Sequence, residues 1–386
     1  MSDPGPARRE TGATVRHGMD ARLAESNFDR SPFVLAWEIT RACALSCLHC
    51  RAEAQPKPDP RQLTNEEALS LVDEIAEMGN PILVVTGGDP LMRRDAFDIL
   101  TYAVQKGLRT SLTPSATALV TRENLARVRE TGVSRVAISL DGPSAEVHDR
   151  FRGFRGSFDR TRQIMRDVIE AGLSLQINTT VSRYNLPVLE QMPDIVAQAQ
   201  AVQWSVFFLV PTGRGKESDM ISAEDHERLF NWLYDLSRSA PFDVKSTAAP
   251  AYRRVAVQRA QKEQHNGADG RPIAGAGYRF QDGLHRPTLG VNDGNGFCFV
   301  SHVGEVCPSG FLPLSAGNVR SQGLADLYRN SKLFRDLRDP AKLKGKCGVC
   351  DFRSVCGGSR ARAWAVNGDY LAEDPSCVYS PAEEPA

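Results

Sequence analysis

The sequence predicts an α/β protein: a partial (β/α)6 TIM-like barrel followed by a small cysteine-rich C-terminal domain. Three observations predict it. Six apolar, strand-like runs alternate with amphipathic, helix-like segments, the pattern of parallel βαβ units with right-handed crossovers. A closed eightfold barrel usually takes about 250 residues, more than these units span, so the barrel is open. Nine cysteines fall in two stretches, with none between Cys50 and Cys298.

Taken in order, residues 1–31 are rich in Arg, Gly, Pro and Asp, lack a sustained apolar period and read as a flexible arm. The barrel is expected over 32–241. Its strands are FVLAWEI (33–39), PILVVT (81–86), RTSLTP (109–114), RVAISL (135–140), LSLQINTTV (173–181) and VQWSVFFLV (202–210). Helical patterns lie between them at 66–79, 96–107, 122–132, 158–172 and 186–200, and several end in Gly, where a left-handed cap is easiest. Thr64 followed by Glu67 signals a capping box. Residues 222–241 form a further helix started by Ser222. Residues 242–296 read as linker or variable insertion, with a helical pattern at 251–264 and a glycine-rich loop at 265–277. The cysteine-bearing domain spans 297–380, and 381–386 is a tail. In such an architecture the chemistry gathers at the carboxyl ends of the strands.

Charge and hydropathy exclude several function classes. Lys and Arg number 47 and Asp and Glu 47, which removes the net positive charge of a dedicated nucleic-acid binder. No run of about 18 apolar residues predicts a membrane span. The opening residues lack the apolar region of a secretory signal, so a cytoplasmic location is expected, where clustered thiols read first as metal ligands.

The first cluster is Cys43-Ala-Leu-Ser-Cys47-Leu-His-Cys50, directly after the first strand. Three thiolates on a short loop can hold three corners of a four-iron cluster and leave one iron open to a substrate or cofactor. Zinc held by the three thiolates and a fourth ligand such as His49 is the competing metal. Gly87-Gly88-Asp89-Pro90 follows the second strand, where paired glycines let backbone approach a ligand closely. Ser139-Leu140-Asp141-Gly142 closes the fourth strand, with His148-Asp149-Arg150-Phe151-Arg152-Gly153 just beyond. The second cluster is Cys347-Gly-Val-Cys350 with Cys356 and the distant Cys377. Four cysteines can complete a four-iron cluster without an open site, and by spacing alone a structural zinc fits equally.

Cysteines spaced C-x3-C-x2-C after the first strand of a βα series resemble the radical S-adenosylmethionine (SAM) superfamily. The resemblance implies a four-iron cluster on Cys43, Cys47 and Cys50 whose open iron chelates SAM. Reductive cleavage of SAM then gives a 5′-deoxyadenosyl radical that abstracts hydrogen from an organic substrate. It further implies SAM contacts at Gly87, Gly88 and Asp89, the last standing for the family's usual Glu, and at Ser139 and Arg152, a natural carboxylate clamp. His148 reads as structural. Asn178 and Thr180 are candidates to face the ribose, and 207–215 is where relatives contact adenine.

The second cluster resembles the SPASM extension, which implies one auxiliary four-iron cluster on Cys347, Cys350, Cys356 and Cys377. Arg360 stands where the full pattern has a further thiol. Cys298 and Cys307 remain as structural thiols, or as ligands to a substrate or an incomplete site. The tail CGGSRARAWAVNGDYLAEDPSC and the segment 304–320 resemble the haem-biosynthesis branch, alternative-pathway haem synthases included. That implies a tetrapyrrole substrate modified by oxidative decarboxylation or another side-chain change. The alternatives are a maturase of a ribosomally made peptide and, in a different class, a non-catalytic zinc-binding scaffold. A low-potential electron donor such as flavodoxin or ferredoxin is the implied partner.

Overall fold

The computed structural model describes residues 27–265 and 290–381. The expected N-terminal arm up to residue 26, the loop at 266–289 and the last five residues lie outside it.

Ten strands form one sheet, in the order β10-β9-β8-β1-β2-β3-β4-β5-β6-β7. The six expected strands are all present, slightly shorter than their apolar runs: β1 (Val34–Glu38), β2 (Ile82–Thr86), β3 (Thr110–Leu112), β4 (Arg135–Ser139), β5 (Leu175–Val181) and β6 (Gln203–Phe208). Consecutive strands pair in parallel, and each returns through helical chain. The capping box forms as expected: Glu67 N–H donates to Thr64 Oγ1 at 3.2 Å and Thr64 N–H to Glu67 Oε2 at 2.7 Å, opening the helix Asn65–Glu77.

The sheet continues beyond the sixth strand at both ends. In the region expected as linker, β7 (Asp243–Thr247) adds in parallel to β6 and leads into the helix Ala251–His265. From the cysteine-bearing C-terminal region, β8 (Phe297–Val300) adds in parallel to the free side of β1, with Leu35 opposite Cys298 and Ala36 opposite Phe299. Two short antiparallel strands follow, β9 (Glu305–Cys307) and β10 (Gly317–Asn318). The C-terminal cysteine-bearing region is thus hydrogen-bonded into the barrel sheet.

Alternation along each strand sorts side chains between two faces. Leu35 and Trp37 of β1 join the main core with Leu71, Val72 and Ile75 of the first helix. Ala36 faces the other way, with Phe299 and Cys307. The same rule carries Glu38 to that second face, where it is buried to 2% exposure. No described helix is long and apolar enough to cross a membrane.

Candidate active site

A cavity of about 220 Å³ opens at the carboxyl ends of the parallel strands. Thr86, Ser139, Asn178, Thr180 and Phe207 border it from the ends of β2, β4, β5 and β6. Cys43, Cys47 and Cys50 border it from the loop after β1, and Gly87, Gly88 and Arg152 complete that side. The structure therefore brings to one place the three thiols, the glycine pair, Ser139, Arg152, Asn178 and Thr180.

Three neighbouring segments, two loops and the end of a helix, hold the backbone of the cysteine loop. Gly88 N–H donates to Thr40 C=O at 2.8 Å, and Asp89 N–H to Ala42 C=O at 2.6 Å. A Cβ on Gly88 would stand 2.5 Å from the Ala42 carbonyl oxygen and 2.6 Å from that of Arg41, so only glycine permits this approach. On the opposite flank Leu48 N–H donates to Phe151 C=O at 3.0 Å. From the loop after β6, Arg214 donates its N–H to Cys50 C=O at 3.0 Å and its Nε to Cys47 C=O at 2.9 Å. The segment 207–215 thus splits in two. Phe207, Phe208, Leu209 and Val210 form an apolar wall of the cavity, while Gly213 and Arg214 hold the cysteine loop.

Asp89 was expected among the SAM contacts. It does not border the cavity; its buried carboxylate accepts from Thr117 Oγ1 at 2.7 Å and from Leu91 N–H at 3.2 Å, capping the short turn Pro90–Met92. Burial raises its pKa above the ordinary carboxylate range. The side chain shapes the glycine turn from behind.

Arg152 is held between Asp141 and the cysteine loop. Its Nη2 lies 2.6 Å from Asp141 Oδ2, and its Nη1 donates to Cys47 Sγ at 3.7 Å. Asp141 is itself fixed: Oδ1 accepts from Thr180 N–H at 2.8 Å, and its own N–H donates to His148 Nδ1 at 3.1 Å. His148 is fully buried, its Nε2 within 3.3 Å of the hydroxyls of Ser157 and Thr161, which makes it structural as expected. His49 stacks on Phe151 with ring centroids 4.1 Å apart and turns Nε2 toward Asp141 at 4.0 Å. Burial, then the charges of Arg152 and Arg214, hold its pKa well below the usual value. Among the described residues no three His, Cys, Asp or Glu side chains are arranged around a single metal ion.

The thiols themselves are prepared for a larger group. Leu45 N–H donates to Cys43 Sγ and Ala54 N–H to Cys50 Sγ, each at 3.4 Å. Such bonds to sulfur are one of the means by which proteins hold and tune iron–sulfur clusters. Burial pushes the Cys43 thiol up, so it favours the thiolate only beside positive charge, as cluster irons supply.

The second cysteine set repeats this pattern. Cys347, Cys350, Cys356 and Cys377 border one small cavity with Arg254, Phe352 and Tyr379. Asp374, Phe352 and Gly358 donate N–H groups to the sulfurs of Cys347, Cys350 and Cys356 at 3.4, 3.4 and 3.3 Å. Arg360 is buried to 1% exposure; its guanidinium donates to the carbonyls of Gly358, Tyr370 and Ala372 and to Cys347 Sγ at 3.7 Å. A cation thus fills the position where a further thiol would extend the set. Burial pushes Cys356 up to about 12. Cys298 and Cys307 stand apart on β8 and β9, buried among core side chains.

A sequence profile described as the radical SAM superfamily matches residues 37–189, the stretch that holds the cysteine loop, the glycine turn, Ser139 and Arg152. Over 96% of its length and 95% of the relative's, the chain is 42% identical to a protein of Oleidesulfovibrio alaskensis named AdoMet-dependent heme synthase. The chain belongs to the radical SAM superfamily. A protein of the same name from Methanosarcina barkeri is 43% identical over 92% of this chain and 98% of its own. Among solved structures, Streptococcus suis SuiB bound to S-adenosylmethionine superimposes with a TM-score of 0.69 over 94% of this chain and 81% of that one, at 16% identity. The fold is that of SPASM-type radical SAM enzymes. Membership makes the chain a radical SAM enzyme and implies a four-iron cluster and SAM as its cofactors, for which the donor set at the cavity is suited.

Sequence reasoning missed several groups around this site. Glu38 and Asp141 are buried carboxylates, and Ser115, Arg51, Arg214 and His302 support or border the loop. Only Glu38 carried a signal, a charge set inside the apolar run of the first strand.

Proposed function

We propose that this enzyme forms haem from an iron tetrapyrrole by oxidative decarboxylation of propionate side chains. The similarity to two proteins named heme synthase, above 40% identity across more than nine-tenths of all chains concerned, carries the reading. In it Cys43, Cys47 and Cys50 hold the four-iron cluster, and Gly87, Gly88, Ser139 and Arg152 face SAM. The bound cofactors supply the 5′-deoxyadenosyl radical that removes a hydrogen atom from the propionate. The residues around the cavity position SAM, exclude water with the apolar wall 207–210, and keep the cysteine loop in place. Loss of CO2 from the substrate radical leaves a vinyl group and one electron. Cys347, Cys350, Cys356 and Cys377 would hold an auxiliary four-iron cluster, which would supply an electron acceptor. A low-potential carrier such as flavodoxin or ferredoxin would serve as reductant.

Anaerobic incubation of reconstituted protein with SAM, dithionite and iron coproporphyrin III, the tetrapropionate counterpart of haem, tests the reading. Mass spectrometry should show the stepwise loss of CO2 and two hydrogens from two propionates, together with 5′-deoxyadenosine. The Cys43→Ala/Cys47→Ala/Cys50→Ala variant should form neither product. Deoxyadenosine formed with the porphyrin unchanged, or only when a peptide is added, would point to the maturase alternative.

A further inference from the structure

Arg51 directly follows the last cysteine of the loop and borders the same cavity as Phe207, Val210 and Phe311. Its Nη2 donates to Glu38 Oε2 at 2.9 Å, and its guanidinium lies over the Phe299 ring, 4.8 Å from the centroid. Among the described residues these are the contacts that fix its head, so the rest of the guanidinium fork is open to the cavity.

The support behind it is unusually complete. Glu38 is buried to 2% exposure, and its other oxygen accepts from His302 Nδ1 at 2.9 Å, with Arg41 at 3.6 Å. His302, also buried, reaches on through Nε2 to Asp59 at 3.3 Å, and Asp59 pairs with the exposed Arg61. The chain of contacts joins β1 to the segment after β8, 264 residues apart in sequence. Gly310 makes room: a Cβ there would meet Arg51 Cδ and Nε at 3.0 Å. Glu38 faces two guanidinium groups, of which Arg51 is the one that borders the cavity. None of this is needed to hold the cysteine loop, which Gly88, Phe151 and Arg214 already clamp. Arg152, the other cation at the cavity wall, is occupied by Asp141 and Cys47.

We propose that Arg51 anchors a carboxylate of the substrate, with Glu38 and His302 as positioning residues that fix its open edge toward the cavity. A planar fork with one side held and the other free suits bidentate recognition of a carboxylate. The inference rests on the tetrapyrrole reading, whose substrate carries several propionates, and names the group that selects acid side chains.

The test is binding of iron coproporphyrin III and of its tetramethyl ester to the reconstituted, SAM-loaded enzyme, followed anaerobically by the porphyrin absorption band. Wild-type protein should bind the acid about tenfold or more tightly than the ester, the range of one charge-assisted hydrogen-bonded contact. Arg51→Gln should erase most of that preference, and Arg51→Lys should keep part of it. Gly310→Ala, which presses on Arg51 without altering it, should shrink the preference too and carries the test if Arg51→Gln does not fold. Glu38→Gln should raise the KM for the porphyrin more than it lowers kcat, as expected of a positioning residue. Undiminished acid preference in Arg51→Gln and Gly310→Ala would overturn the anchor and leave the tetrapyrrole reading standing. Weakened SAM binding in Arg51→Gln with the acid preference intact would overturn it as well. Wild-type protein that binds neither porphyrin would overturn the tetrapyrrole reading and the anchor with it.

Discussion

Asp141 and Arg152 form a buried ion pair, Oδ2 to Nη2 at 2.6 Å, that sets the clamp residue against the cysteine loop. Asp141 opens the turn between β4 and the helix Ala145–Arg152, and Arg152 ends that helix, so one short helix carries the cation back over the site. Removing one partner of such a pair leaves a buried charge uncompensated, at a cost of about 3–5 kcal/mol. Asp141→Asn should therefore melt several degrees lower and bind SAM about tenfold more weakly, since a free guanidinium no longer points one way. Isothermal calorimetry on anaerobic protein measures the second effect; wild-type affinity in that variant would remove Asp141 from the site.

Gly88→Ala tests the backbone clamp. The new Cβ would meet two carbonyl oxygens, and neither can rotate away as a side-chain tip would. The cysteine loop must shift, and iron per chain after reconstitution should fall from about eight to about four, one cluster's worth. Full iron loading with normal SAM cleavage would show that the loop accommodates the methyl group.

Cys298 and Cys307 should not bind a cluster together. Phe299 and Cys307 are cross-strand partners and share a face, which places Cys298, one residue earlier, on the other face. Cys298→Ala/Cys307→Ala should retain about eight irons per chain by iron and sulfide analysis and an unchanged Mössbauer spectrum, on the expectation of two four-iron clusters. Loss of four irons would require a third site or a different ligand set.

His148 makes stability depend on pH. Burial, then the nearby Arg152 charge, lowers its pKa to about 3, against about 6.5 in an unfolded chain. Between those values the unfolded chain takes up a proton that the folded chain refuses, so stability falls as pH falls, by up to about 1.4 kcal/mol per pH unit. His148→Asn lacks this titration. The stability gap between wild type and variant, from urea unfolding, should narrow by about that amount from pH 7.5 to 5.5. A gap that stays constant or widens would mean that His148 is already charged in the folded protein.

The six barrel strands were legible because each is an apolar run bounded by turn residues. β7 was not: Asp-Val-Lys-Ser-Thr has one large apolar residue, and its strand state comes from pairing with β6. The helix Ala145–Arg152 was missed for a similar reason, being mostly charged with only His148 and Phe151 buried. That the thiols, the glycine pair, Ser139 and Arg152 gather at one cavity followed from their places after successive strands. The Asp89 side chain turns back into its own turn, which residue type alone does not reveal. Contacts of Arg214 with the carbonyls of Cys47 and Cys50 leave no trace in either side-chain pattern. The pairing of Glu38 with His302 crosses most of the chain and exists only once β8 lies beside β1.

That placement of β8 limits how the protein can be taken apart. With β2 on one side and β8 on the other, β1 offers no open hydrogen-bonding edge. A fragment ending before Phe297 would expose the most buried strand of the barrel, all five residues of which are shielded in the whole chain, as a template for aggregation. The barrel fragment should accordingly be insoluble when expressed alone, and a chimera that exchanges C-terminal regions between relatives must keep the Val34–Phe297 register intact.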